Sequence, residues 1–503
     1  MPCTKMMVQD NNNTQQAIWL VIGQSFTFLM AFFSAPILSR YFDKTDYGTY
    51  RQILYIYTNL YTLFVMGLPN IFLYFIPRLD IRQQKMFVQR ITMFLFLIGV
   101  VFSITLCALS GFIAKLLNNP ELAVGLRIFS VFPMFTLPAM GVEGIYTSIK
   151  RTKEVAVYQV LSRLFMFLCI VLPVIVCNTG YKEAIIGWGV ASFLTFLVAI
   201  YMKRKPYRGV KSERIPNMYQ EISSRIMPLF CASVASFFLQ VADSFYVSRY
   251  YGTETFAELS NGCFSIPIVT ILVGSLNSVL LPVMSEADAH NKIPSALNSY
   301  TNAVKKISTI VIPLLMFCFF FADEIMITLF GSQYESSASY FRVYMLRDFT
   351  NLFPFFIIMM AFGFQKAYMN IFIGGVVFTW IADYLLVVFF MNPIFITVVS
   401  TIFRIASVII GQIYIYKKMG ITFIPRSVLF YIVKILAHSF VILLLISAVR
   451  YMAFPGVNRL VSVIVFALLF YVLLIPTGKF VKIDYATVLE NVPLLGKLKK
   501  KLF

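Results

Sequence analysis

Fourteen stretches of roughly 20 apolar residues recur along this chain of 503 residues, and each suits an α-helix crossing a hydrocarbon core about 30 Å thick. Lipid offers no partner for backbone N–H and C=O groups, so such stretches must satisfy their own hydrogen bonds, as helices do. The chain therefore reads as an all-α polytopic membrane protein. Spans are expected at 17–38, 50–76, 91–114, 128–148, 155–176, 184–202, 226–248, 257–283, 307–329, 341–364, 371–390, 395–416, 428–449 and 459–476. With 59% hydrophobic and 13% charged residues and a mean hydropathy of +0.80, little remains for a soluble domain.

A net charge of +20 suggests a nucleic-acid partner in a soluble protein; here it follows from the bias of Lys and Arg toward cytoplasmic loops. Sorting loops by parity places 28 cations on the side of the termini and 11 on the other side, Arg347 counted among the latter, and leaves Arg163, Arg404 and Lys434 inside spans. Both termini are thus expected in the cytoplasm, and nucleic acid is not an expected partner. The first apolar run, Ala17 to Leu38, is too long for a signal-peptide core and reads as a retained span. Seven cysteines fall singly, without metal-ligand spacing, and read as packing residues.

The longest polar connection, Lys203 to Arg225, separates six spans from eight. Leu38-Ser39-Arg40-Tyr41-Phe42 matches Val247-Ser248-Arg249-Tyr250-Tyr251 at an offset of 209, and Tyr47-Gly48 then faces Phe256-Ala257. Six spans per copy keep the copies parallel and predict two pseudo-symmetric six-helix lobes with two additional C-terminal helices. The expected organisation is an N-terminal cytoplasmic tail (1–16), an N-lobe (17–202), a cytoplasmic linker (203–225), a C-lobe (226–416), two further spans (417–476) and a basic cytoplasmic tail (477–503). Within that tail, Val481 to Phe503 reads as an amphipathic helix lying on anionic lipid or as a solubilising extension.

No phosphate-cradling GxxxxGK[ST], GxGxxG or HExxH is present, and there are two histidines. ATP hydrolysis has no motif to carry it. The short outward loops give no platform for reacting sugars, so transport is the expected activity, without catalysis and without a resident cofactor. Ionisable residues inside spans then carry the information, since each costs about 3 kcal/mol at mid-bilayer unless it faces water or a partner. These are Glu143, Arg163, Asp243, Arg347, Asp348, Asp383, Arg404, Lys434 and His438.

Arg404, Arg163, Arg347 and Lys434 are the candidates for an anionic substrate, and Glu143, Asp243, Asp383 and Asp348 for coupling to a proton or sodium gradient. Arg404 lies about 16 Å deep counted from the turn at Asn392-Pro393, and Asp383 about 14 Å deep on the preceding span, so the two are placed to meet as an ion pair or in a substrate site. Lys434 and His438 share one helix face and read equally as packing residues. Arg163 also reads as a snorkelling cation. Glu143 lies in a span interrupted by Pro133, Pro138, Gly141 and Gly144, where bent backbone lining a cavity can expose polar groups.

The segment Leu38-Ser39-Arg40-Tyr41 leading through Asp46-Tyr47-Gly48-Thr49-Tyr50 to Gly67-Leu68-Pro69 resembles the "aRyLg...yG.y...GlP" opening of the polysaccharide-exporting, Wzx-type flippases of the multidrug/oligosaccharidyl-lipid/polysaccharide (MOP) superfamily. Asp243 ahead of Ser248-Arg249-Tyr250, Phe330-Gly331-Ser332-Gln333-Tyr334 and the fourteen-span layout are similar as well. The "fGi.GAa" pattern between spans eleven and twelve is replaced by Met391-Asn392-Pro393-Ile394-Phe395. The resemblance implies alternating access in the bacterial inner membrane. The substrate it implies is an undecaprenyl-pyrophosphate-linked oligosaccharide for O-antigen, capsule or exopolysaccharide, with a polysaccharide polymerase or export machinery as partner. A flippase for the peptidoglycan precursor and a cation-coupled multidrug antiporter share the architecture; the in-span cations argue against the antiporter. A nonenzymatic scaffold has little need of mid-membrane charge.

Overall fold

The computed structural model describes residues 13–65, 68–215, 218–289, 293–453 and 458–485, and among them every regular element is helical. The chain divides into two compact units, Met1–Ala257 and Glu258–Phe503. The first contains α1 (Asn13–Tyr41), α2 (Lys44–Val65), α3 (Pro69–Phe75), α4 (Ile81–Leu116), α5 (Glu121–Phe129), α6 (Phe132–Ala139), α7 (Val142–Ser148), α8 (Thr152–Cys177), α9 (Tyr181–Arg204) and most of α10 (Met218–Gly262). The second contains α11 (Pro267–Ala289), α12 (Ile293–Phe320), α13 (Ala322–Phe330), α14 (Ser337–Asp348), α15 (Phe355–Ala361), α16 (Gln365–Phe389), α17 (Pro393–Met419), α18 (Arg426–Ala453) and α19 (Arg459–Val481).

Helix occupies all fourteen expected positions, and among the described residues twelve helices are long and apolar enough to span a membrane. The second and seventh expected spans, on α2 and α10, are not among the twelve: α2 carries Arg51, Gln52, Asn59 and several Thr and Tyr residues. The eighth span begins at Pro267 rather than near residue 257, because α10 kinks at Gly252 (φ 85°) and a second helical stretch then runs on to Gly262, and proline suits a first helical turn. Of the expected tails, residues 1–12 and 486–503 lie outside the described residues, as does Gly67 of the opening motif.

Phe112, Val176, Phe389 and Leu468 are 64, 68, 73 and 64% exposed, which suits lipid and not water. The chain is a multi-pass membrane protein. In lipid, apolar burial no longer drives helices together, so close backbone approach matters more. A Cβ on Gly187 of α9 would stand 2.2 Å from the Cys169 carbonyl oxygen of α8, and one on Gly99 of α4 would stand 2.9 Å from that of Pro133 on α6. Phe72, Phe87, Leu95 and Tyr146 centre a core that joins α3, α4 and α7.

The repeat has a structural counterpart inside the first unit. Thr45 Oγ1 donates to Glu254 Oε1 at 3.3 Å, and these residues are 209 apart, the offset of the repeat. A position meets its own repeat mate only where a local two-fold axis passes between them. Beside this contact, Gly48 of α2 lies so close to α10 that a Cβ would be 2.2 Å from the Thr253 carbonyl oxygen.

Candidate functional site

The same offset relates two helix breaks. The α6 helix ends at Ala139, Met140 is extended, and Gly141 at φ 89° opens α7; α14 ends at Asp348 and passes through the turn Phe349–Leu352 and Pro354 into α15. Adding 209 to Ala139 gives Asp348. Interrupted helices at corresponding positions of a transporter repeat free backbone groups inside the membrane and mark its binding region.

In the second unit the break places Arg347 and Asp348 together. Asp348 is 2% exposed; its Oδ1 accepts from Ser265 Oγ at 3.3 Å and from Asn351 Nδ2 at 3.1 Å, while its Oδ2 is buried without a hydrogen-bond partner among the described residues. The Arg347 guanidinium stands 5.4 Å from the Tyr344 ring centroid. The α17 helix packs against α14 and brings Arg404 within Coulombic range of both Arg347 and Asp348, with the hydroxyls of Tyr344 and Tyr368 in the same field. Counted from Ser337 and Pro393, Arg347 and Arg404 lie about 15 and 16 Å along their helices. Neither belongs to an ion pair among the described residues. Two guanidiniums beside one carboxylate leave an excess positive charge at mid-span, an arrangement suited to a bidentate anion such as a phosphate.

Among the described residues Arg404 and Asp383 do not form the ion pair that their depths allow. On α16, Gly375, Thr379 and Asp383 follow one another at four-residue steps on a buried stripe, and Gly375 lies against the Phe403 ring of α17. Arg404 is one residue past Phe403, about 100° around the helix, and so turns from that seam toward α14.

The first unit furnishes its break differently. Glu143, in the first turn of α7, accepts from Gln159 Nε2 of α8 at 3.0 Å and is exposed. Gln159 Oε1 is buried, against Gly23 of α1, without a hydrogen-bond partner among the described residues. One turn on, exposed Arg163 lies within Coulombic range of Tyr57 and Tyr61 on α2, and Tyr61 donates to Met140 Sδ at the break, 3.5 Å away. Glu143, Gln159 and Arg163 thus share one face of the α7–α8 corner.

The remaining candidates lie elsewhere. Asp243, on α10, is near Tyr55 of α2, whose hydroxyl donates to the Val241 carbonyl at 3.1 Å. Lys434 lies over Phe430 at 4.9 Å on its own helix. His438 lies between Tyr485 Oη at 3.1 Å and Thr477 Oγ1 at 3.0 Å, which ties α18 to the end of α19.

Ser265, Tyr344, Asn351, Tyr368 and Gln159 have no sequence motif to announce them. The signal available was Pro354 inside an apolar run that also carries Asp348 and Asn351, the pattern already noticed around Pro138 and Gly141. Loop counting also concealed Lys203, which the structure buries at the end of α9, and Arg450, which pairs with buried Glu324.

The fold is similar to that of "Lipid II flippase MurJ" in its inward closed conformation, with a TM-score of 0.70, 15% identity, and coverage of 92% of this chain and 99% of that one. An inward-facing MATE family transporter of the MOP superfamily gives a TM-score of 0.56 at 12% identity over 80% of this chain and 100% of that chain. A MOP superfamily transporter from Pyrococcus furiosus gives 0.54 at 14% over 80 and 95%. The chain has the fold of these MOP superfamily transporters.

The sequence profile of the family described as "Polysaccharide biosynthesis protein" matches residues 37–339, more than half of the chain, and the chain belongs to that family. No curated protein matches it in sequence. The resemblance carried by the opening motif is borne out in both family and fold.

Proposed function

We propose that this protein is a flippase that moves an undecaprenyl-pyrophosphate-linked oligosaccharide from the cytoplasmic to the periplasmic leaflet of the bacterial inner membrane by alternating access. The observation that carries this reading is the excess positive charge of Arg347 and Arg404 around Asp348 at the tenth-span break. A pyrophosphate satisfies two guanidiniums with paired charge-assisted hydrogen bonds, and the tail remains in lipid. Glu143, exposed beside the corresponding break, is the coupling carboxylate of this scheme, with Asp243 as a second candidate. Both termini lie in the cytoplasm, and the product feeds a polysaccharide polymerase.

Family membership supports a polysaccharide substrate, and the two guanidiniums weigh against a cationic drug. Deleting the gene tests the reading: lipid-linked repeat units accumulate on the cytoplasmic leaflet and surface glycan is lost. Accumulation of the peptidoglycan precursor instead, with surface glycan intact, assigns the chain to that lipid and rejects the polysaccharide.

A further inference from the structure

A second concentration of positive charge lies far along the chain from these breaks, at the basic end of α9. Lys203 is 2% exposed; its ammonium donates to Thr92 Oγ1 at 3.2 Å and to the Pro138 carbonyl at 2.8 Å, and lies 5.1 Å from the Phe72 ring centroid. Thr92 and Pro138 use two of the three N–H groups, and among the described residues no carboxylate acts on it. A buried ammonium without a counter-charge is costly, and an anion brought to it removes that cost.

Lys203 borders an open groove of about 1020 Å³ between α4, α6 and α9. Lys85, Arg204 and Arg208 line the same groove, whose lining contains no acidic residue. None of the four cations belongs to an ion pair among the described residues, whereas the neighbouring Lys205 is held by Glu154. Beyond the cations the lining turns apolar, through Val88, Met93 and Phe96 on α4 and Phe196, Leu197 and Ile200 on α9. Met93 and Leu197 are 56 and 47% exposed, facing the solvent for which apolar helix surfaces are built, the lipid. From Lys85 to Phe96 the groove follows eleven residues of α4, about 16 Å, a length comparable to an acyl chain.

We propose that this groove binds one anionic phospholipid of the cytoplasmic leaflet, its phosphate on Lys85, Lys203, Arg204 and Arg208 and a chain along α4 and α9. The chemistry favours a membrane phospholipid over the glycan carrier. Apart from the cations, Gln89 and Thr92 are the only amide and aliphatic hydroxyl side chains in the lining, too few to hold an oligosaccharide. The Pro138 carbonyl belongs to the last two residues of α6, at the fourth-span break itself, so a phosphate that fixes the Lys203 ammonium also braces that break.

Native mass spectrometry of the full-length chain, titrated with phosphatidylglycerol or phosphatidylcholine, tests the assignment. The wild type is expected to retain one phosphatidylglycerol at least tenfold more tightly than phosphatidylcholine. The double variant R204Q/R208Q, which alters exposed side chains, is expected to lose that preference, and K417Q/K418Q, which removes two exposed cations elsewhere, to keep it. Equal retention by R204Q/R208Q, or equal loss in K417Q/K418Q, overturns the site. A third readout leaves the charges in place: tryptophan introduced as M93W is quenched by brominated phosphatidylglycerol more strongly than by brominated phosphatidylcholine. Equal quenching also overturns it, and stoichiometric displacement of phosphatidylglycerol by undecaprenyl pyrophosphate assigns the groove to the carrier instead.

Discussion

The fourth-span and tenth-span breaks occupy corresponding places in the repeat and carry different chemistry. In the second unit a carboxylate is buried beneath two arginines and held by Ser265 and Asn351. In the first, a carboxylate is exposed and held by one glutamine, with its arginine a turn further along α8. The two breaks stand at the repeat offset of 209, and substitution leaves one with a buried carboxylate near two arginines and the other with an exposed carboxylate. In the proposed mechanism, the buried break binds and the exposed break couples.

The comparison breaks most readily at Asp348. Replacing it with alanine removes the nearby carboxylate from two half-buried guanidiniums and leaves Ser265 and Asn351 without their acceptor, and should cost about 1 to 3 kcal/mol. Thermal unfolding of Asp348→Ala and of Asp348→Asn/Arg347→Gln checks this; the double variant should recover much of the loss. Equal stability of Asp348→Ala and wild type would place the charges too far apart to interact.

The backbones of the two breaks differ next. Gly141 is in the left-handed region at φ 89°, and a Cβ on it would stand 2.3 Å from the Phe72 ring. Its repeat mate, Thr350, has ordinary φ and donates its hydroxyl to the Arg347 carbonyl at 2.7 Å. Gly141→Ala should therefore cost about 1 to 3 kcal/mol, and Thr350→Ala about 1 kcal/mol, the net value of one hydrogen bond. Chemical denaturation of the two variants side by side checks the order.

The smallest stability effect is expected at Glu143. Since its side chain is exposed, Glu143→Gln should change stability by under about 0.5 kcal/mol while abolishing the dependence of transport on an ion gradient. Flipping assays in vesicles with and without an imposed gradient check it, and unchanged ion dependence returns Glu143 to a packing role.

The helices were legible because their cause is local: twenty apolar residues have one way to satisfy their backbone in lipid. The depths of Arg347 and Arg404 were legible for the same reason, since depth is residue count times rise. Their companionship was not. It depends on which way a side chain turns around α17 and on α14 being the neighbour on that side, and neither follows from spacing along one helix. Counting depth without azimuth paired Arg404 with Asp383; the packing of Phe403 on Gly375 sends Arg404 the other way. Lys203 was concealed by a related assumption, that a cation near a span's end belongs to the loop.

Arg404 tests the central claim most directly, by measuring unfolding temperature and lipid-linked oligosaccharide export in Arg404→Ala and Arg404→Lys. Asp348 retains Arg347 when Arg404 is removed, and the repulsion between the two guanidiniums disappears, so Arg404→Ala should fold with unchanged or raised stability. Export should nonetheless fall at least tenfold, with partial return in Arg404→Lys, which keeps the charge and loses the bidentate fork. Full export by a stable Arg404→Ala, or a loss of export no larger than the loss of folded protein, would contradict an anion site at the tenth-span break.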